Sequence, residues 1–346
     1  MSKTLQSGDP AVTAKPARAS RRAWNYTPAL PLTQAPYFEW PISLVGSLKY
    51  LFEIWRPFNQ RFLLLMLAIA AWTWFTPSLE RAVSFQVDWM LEIALRNLVI
   101  VLVVAGGLHL LLFTFARQGD EERYDARPLA KKSKVFHFGS QLRDNVFWTL
   151  VGSVPIGTLW ECLLLWAYAN GHATLISFSE NPGWFIGLML IIPLWSGFHF
   201  YWYHRLGHVE PFYRWFHSWH HKNINTGPWS GHAMHPIEHL FLYSDLAIYF
   251  IVASHPIHVI FNAMLHTVAG PTTHCGFHSV RLTRFFSLQL GDFMHQLHHR
   301  YFDCNYGSYE TPWDKLFRSF HDGTPQGDSL IKDRRRRMFE KKNQPA

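Results

Sequence analysis

Ten of the histidines between His204 and His299 fall into four tight clusters, and a fold that uses them must gather distant segments at one place. They read His204-Arg-Leu-Gly-His208, His217-Ser-Trp-His220-His221, His274-Cys-Gly-Phe-His278 and His295-Gln-Leu-His298-His299. Residues three or four apart share one face of a helix, so each cluster is expected to aim its imidazoles one way. Imidazole is a ligand for iron, zinc, copper and nickel. Ten imidazoles exceed one ordinary metal site and suit two.

The rest of the chain reads as membrane protein. Hydrophobic residues make up 49% and charged residues only 16%, against roughly 25% charged in soluble domains. Four stretches approach the ~20 residues that cross a ~30 Å hydrocarbon layer: Phe62 to Phe75, Asn97 to Phe115, Val146 to Ala169 and Gly183 to Tyr203. The mixed stretch Pro41 to Trp55 reads as an interfacial helix. Leu240 to Val268 is broken by Ser254-His255-Pro256. Proline disfavours helix before it, so this region is expected to dip into the membrane and return as a hairpin.

Basic residues orient the spans. Lys3, Lys15, Arg18, Arg21 and Arg22 precede the first, and Arg117, Arg123, Arg127, Lys131, Lys132, Lys134 and Arg143 follow the second. The segment between the first two spans offers only Arg81 and Arg96, and 170–182 offers none. Both termini and the histidine clusters are therefore expected on the cytoplasmic side. The pI near 9.4 follows from that asymmetry, and no recognition motif points to nucleic acid. Cys162, Cys275 and Cys304 form no disulfide framework.

Chance would place H-x-x-H-H in this sequence well under once, yet it occurs twice. The zinc-protease pattern H-E-x-x-H is absent, and no cluster contains a carboxylate. Candidates to accept the free ring N–H groups around the metals are Glu238, Asp292, Asp303 and Asp314, and His235 reads as an outer donor or substrate-gate residue near them. His232 and His239 read as packing residues, as do His109, His137, His172, His199 and His321. A metal transporter is the rival from another class, but it needs a polar pathway through the spans. Only His109 and Glu161 lie deep within them.

The clusters at 204–208, 217–221 and 295–299 resemble the three histidine boxes of the fatty acid hydroxylase superfamily. That group includes sterol C5-desaturases, sterol C4-methyl oxidases and sphingolipid hydroxylases. His274 and His278 resemble the fourth ligand pair of its sphingolipid 2-hydroxylase branch. Ser230-Gly-His-Ala-Met-His235-Pro, Asn305-Tyr-Gly307 and Trp313-Asp-Lys-Leu-Phe317 resemble the family too. The resemblance implies an all-α integral membrane fold of about four transmembrane helices plus a re-entrant hairpin, capped by a cytoplasmic histidine-rich layer.

It further implies a nonheme diiron centre held by His204, His208, His217, His220, His221, His274, His278, His295, His298 and His299. Such a centre uses O2 to oxidise a C–H bond of a membrane lipid. No His-Pro-Gly-Gly stretch marks a fused cytochrome b5 domain, so electrons are expected from a ferredoxin or a cytochrome b5-type donor with its reductase. Hydroxylation is the first expectation and sterol C5-type desaturation the alternative. The home is a bacterial inner membrane, or the endoplasmic reticulum in a eukaryote. The implied organisation is a disordered basic tail (1–38), an interfacial helix with the first two spans and a basic loop (39–145), the third span and start of the fourth (146–190), the catalytic domain (191–323) and a basic tail (324–346).

Overall fold

The computed structural model describes residues 23–342, and it is helical apart from one short hairpin. Helix α1 (Leu44–Trp55) starts where the Ser43 hydroxyl accepts the Gly46 N–H at 3.0 Å, a standard side-chain cap. It leaves Leu44, Val45, Leu48 and Phe52 exposed, as an interfacial helix would. Helix α2 (Gln60–Phe75) is apolar but shorter than a full span. Among the described residues, three helices are long and apolar enough to cross a membrane: α3 (Val87–Thr114), α4 (Gln141–Ala169) and α5 (Pro182–Gly207). On α3, Leu91, Leu95, Val99 and Leu102 remain exposed. A stripe of that size fits lipid better than water.

Two sequence expectations need correction here. Helix α3 begins at Val87, so Arg96 is inside it and not in a loop. Arg96 is buried and pairs with Glu161 of α4. Asn97 Nδ2 donates to Glu161 Oε1 at 2.7 Å, and Arg96 Nη1 donates to Thr76 Oγ1 at 2.8 Å. Each charge is thereby satisfied by side chains of α3, α4 and the end of α2, as an apolar layer demands.

The second correction concerns the tail 1–38. Residues 1–22 lie outside the described part, but 24–38 pack against the body. Trp24 meets Phe293 edge-on with ring centroids 5.0 Å apart. The Leu32 N–H donates to the Asp322 carbonyl at 2.9 Å, and Ala35 to that of Tyr309 at 2.8 Å. Average composition hid these few anchoring aromatic and apolar residues. The basic C-terminal segment also forms a helix, Pro325–Lys342, with Arg335 paired to Asp303 at 2.6 Å.

The broken apolar region divides at the expected place. Helix α6 (Pro236–Leu242) runs into the 3₁₀ helix Tyr243–Phe250, and α7 (Pro256–Thr273) follows the break. Proline occupies the first turn of α5, α6 and α7, where a missing N–H costs nothing. Helix α7 is almost wholly buried and packs against α2, α4 and α5. After it come the antiparallel strands β1 (Ser279–Arg281) and β2 (Ser287–Gln289), then α8 (Phe293–Tyr301). The ends of α5, α7 and α8 converge, and the histidines lie there.

Candidate metal centre

Nine of the ten clustered histidines come together, in two groups. His204, His208, His217, His221 and His298 form one, and His220, His274, His295 and His299 the other; within each, one ring nitrogen per residue lies within 4.8 Å of every other. The expectation that each cluster points one way is therefore wrong for three of them. The segment His217–Lys222 is 3₁₀ rather than α, and it sends His220 apart from His217 and His221. On α8, His295 and His299 share a face at i,i+4 while His298 turns to the other group.

His278 joins neither group. Helix α7 ends at Thr273, and Gly276 takes φ +81°, a conformation that favours glycine. The helical i,i+4 spacing from His274 thus never forms. His278 instead stands with Nδ1 3.4 Å from the Tyr124 hydroxyl and its ring 5.5 Å from Tyr26.

The nine rings suit metal for a protonation reason. His204 Nδ1 lies 2.6 Å from the Tyr306 carbonyl, His298 Nδ1 2.6 Å from that of Cys304, and His274 Nδ1 2.8 Å from that of Gly270. His217 Nδ1 lies 2.5 Å from Glu238 Oε1. A carbonyl or carboxylate only accepts, so these four rings carry their proton on Nδ1. Their Nε2 atoms are left as lone pairs, and the Nε2 atoms face one another. His217 to His221 is 3.0 Å, His298 to His221 3.0 Å, His274 to His295 3.0 Å and His274 to His299 2.9 Å.

Facing lone pairs repel unless a cation sits among them. Ligands at right angles around an ion, with bonds of about 2.1 Å, stand roughly 3.0 Å apart. The donor set therefore fits two metal ions. Burial first, and neighbouring imidazoles second, hold His208, His220, His221, His298 and His299 well below the ordinary histidine range. They are neutral at physiological pH, the state a ligand needs.

The five candidate supporting residues divide sharply. Glu238 touches a ring of the centre, at His217. Asp314 acts one step back: it accepts from the Tyr306 and Gly307 N–H groups at 3.0 and 2.7 Å and so fixes the carbonyl that holds His204. Asp292 caps α8 through the His295 N–H at 3.0 Å, and burial pushes its carboxyl up to about 6. Asp303 binds Arg335 instead of any ring. His235 caps α6, with Nδ1 accepting from Ile237 at 3.2 Å and its ring against Trp219. His232, read as packing, borders the site's cavity instead. Sequence reasoning had no means to find the Tyr306, Cys304 and Gly270 carbonyls, because every residue has one.

A cavity of about 490 Å³ opens beside both groups. His204, His217, His220, His274 and His295 line one part of it, and Leu64, Pro193, Phe200, Leu242 and Leu265 supply apolar wall. That volume lies within the roughly 300–1,000 Å³ typical of small-ligand sites.

The sequence profile of the fatty acid hydroxylase family matches residues 188–319, which contain all nine converging histidines. This part of the chain matches the fatty acid hydroxylase family. A Delta(7)-sterol 5(6)-desaturase of Gibberella zeae is 29% identical over 193 residues, 51% of this chain and 56% of the relative. Lathosterol oxidase of Rattus norvegicus is 28% identical over 265 residues, 74% of this chain and 84% of that protein. A cholesterol 25-hydroxylase-like protein of Danio rerio is 28% identical over 215 residues, 55% and 80% of the two chains. The chain spans about half the length of the fungal desaturases it matches. No solved structure matches significantly. The fatty acid hydroxylase match thus covers the histidine centre and most of its cavity wall, and leaves α1 to α4 outside.

Proposed function

We propose that this integral membrane protein is a nonheme diiron oxygenase that hydroxylates a C–H bond of a lipid, with O2 and electrons from a separate donor protein. The reading rests on one observation above all: nine imidazoles converge, several with Nε2 freed by acceptors at Nδ1, and five of them border a cavity with apolar walls. Iron bound there would supply O2 activation and removal of hydrogen from an unactivated carbon.

The protein's own residues do the rest. His204, His208, His217, His221 and His298 would hold one ion, and His220, His274, His295 and His299 the other. Glu238 orients His217 and adds negative charge beside an otherwise neutral ligand set. Leu64, Phe200 and Leu265 receive the lipid chain and keep water from the reacting carbon. The termini and the centre lie on the cytoplasmic side, where a ferredoxin or a cytochrome b5-type protein with its reductase can deliver electrons.

The sterol relatives favour a second reading, desaturation at the sterol 5(6) position, with the same first step. Lipid mass spectrometry of cells with and without the gene separates the two. Gain of one oxygen atom in a lipid means hydroxylation, and loss of two hydrogens means desaturation. In both cases His298→Ala should abolish the product and the bound iron while the protein stays in the membrane. Normal lipid oxidation by that variant would refute the ligand assignment.

A further inference from the structure

A second polar group lines the same cavity, away from the metal ligands. His266 of α7 and Ser196 of α5 both border it. His266 Nε2 lies 2.8 Å from Asp245 Oδ2 and 3.5 Å from Ser196 Oγ. Asp245 is buried, and its Oδ1 has no partner among the described residues. Ser196 sits near the midpoint of α5, a helix long enough to span the membrane. Ionisable groups at such depth are costly and mark functional sites by default.

The geometry excludes a nucleophilic triad. There the acid and the serine bond opposite nitrogens of the imidazole; here both approach Nε2. Asp245 accepts the Nε2 proton, which leaves Nδ1 of His266 as a lone pair that no described protein group occupies. A hydroxyl fits this arrangement by donating to Nδ1, on the ring edge opposite the one that Asp245 and Ser196 approach. A carboxylate would meet a lone pair and a second carboxylate, and an ammonium would have to leave its water for an apolar cavity.

The position of the pair along the helices sets a distance. Ser196 precedes His204 on α5, and His266 precedes His274 on α7, by the same number of residues, a rise of roughly 12 Å in each case. We propose that His266, held in place by Asp245 and Ser196, binds a hydroxyl of the substrate, so that the lipid oxidised here carries that hydroxyl about 12 Å from the reacting carbon. This rests on the reading of the cavity as the lipid site. It disfavours oxidation at the sterol 5(6) position of a 3-hydroxysterol, whose oxygen is only a few ångströms from the reacting carbons. It favours attack at the end of the molecule remote from its hydroxyl.

The test is a retention competition with matched probes. The iron-loaded protein in mixed micelles is offered equal amounts of cholesterol and cholest-5-ene, and separately of hexadecan-1-ol, hexadecane and hexadecan-1-amine. The retained ratios are read by mass spectrometry. The hydroxyl compound should be enriched roughly ten-fold over its hydrocarbon in at least one series, as one hydrogen bond would give. His266→Phe should erase that enrichment, and Ser196→Ala should reduce it, with iron content unchanged.

Equal retention in both series overturns the proposal, as does an enrichment that survives His266→Phe or a preference for the amine. Should His266→Phe not fold, Ser196→Ala alone decides by the same criterion. Iron content, measured in parallel on the wild type, reports separately on the metal reading: an iron-free wild type with intact hydroxyl preference would sink only the latter.

Discussion

His274 and His278 show how a single backbone angle decides a residue's role. The first hands its Nδ1 proton to the Gly270 carbonyl and turns Nε2 into its group; the second, past Gly276, faces Tyr124. His278→Ala should therefore keep the full iron content, whereas His274→Ala should lose about half of it. Metal analysis of the two purified variants reads the difference, and iron loss from the His278 variant would contradict this assignment. Glu238 is the other residue whose role the geometry isolates. Glu238→Gln leaves an oxygen for the His217 N–H but removes the charge, and iron affinity should fall about 10- to 100-fold. An unchanged affinity in a chelator competition would show that the carboxylate does not support the ligand.

Elements meet at the centre through close backbone approaches. The 3₁₀ helix Pro228–His232 lies against α7 so tightly that a Cβ on Gly231 would sit 2.1 Å from the Gly270 carbonyl oxygen. That same carbonyl accepts from His274. Gly231→Ala should thus cost about 1–3 kcal/mol by overpacking and disturb the group around His274. Thermal unfolding in detergent, with iron content read alongside, checks both effects; a stable variant with half its iron would place the damage at the ligand alone. The two clusters of identical spacing divide alike: on α8 His295 and His299 stay together while His298 joins the other group, and in the 3₁₀ segment His217–Lys222 His217 and His221 stay together while His220 crosses over.

At the scale of the whole molecule, two polar features join the helices of a largely apolar bundle. Arg96 and Glu161 join α3 to α4, both nearly buried. Glu161→Gln leaves an uncompensated guanidinium and should cost about 3–5 kcal/mol, while the double change Arg96→Met with Glu161→Leu should recover most of it. Unfolding of the three proteins in the same detergent decides; a double variant as unstable as the single one would refute the pairing argument. The metal centre is the second feature, since it ties α5, α7 and α8 to one point. Stripping iron with a chelator should lower the melting temperature, because the facing Nε2 lone pairs lose their cation. An identical melting curve for stripped and loaded protein would mean that the rings are held by the scaffold alone.

The sequence by itself determined the chemistry and the class of fold. Repeated histidine spacing, a deficit of charge and long apolar runs are written residue by residue, so the helical membrane architecture, the family resemblance and all nine converging imidazoles were legible in it, with His278 wrongly added. Glu238 was legible as well, as a carboxylate close to the clusters. Only the tertiary structure decided which histidine belongs to which group, because that depends on which segments meet in space and, for His278, on a turn at a glycine. It alone also revealed the backbone carbonyls that set the tautomers, the burial of Arg96 against Glu161, and the place of His266 beside Ser196. Those relations join residues distant in sequence, and local pattern carries no record of distance in space.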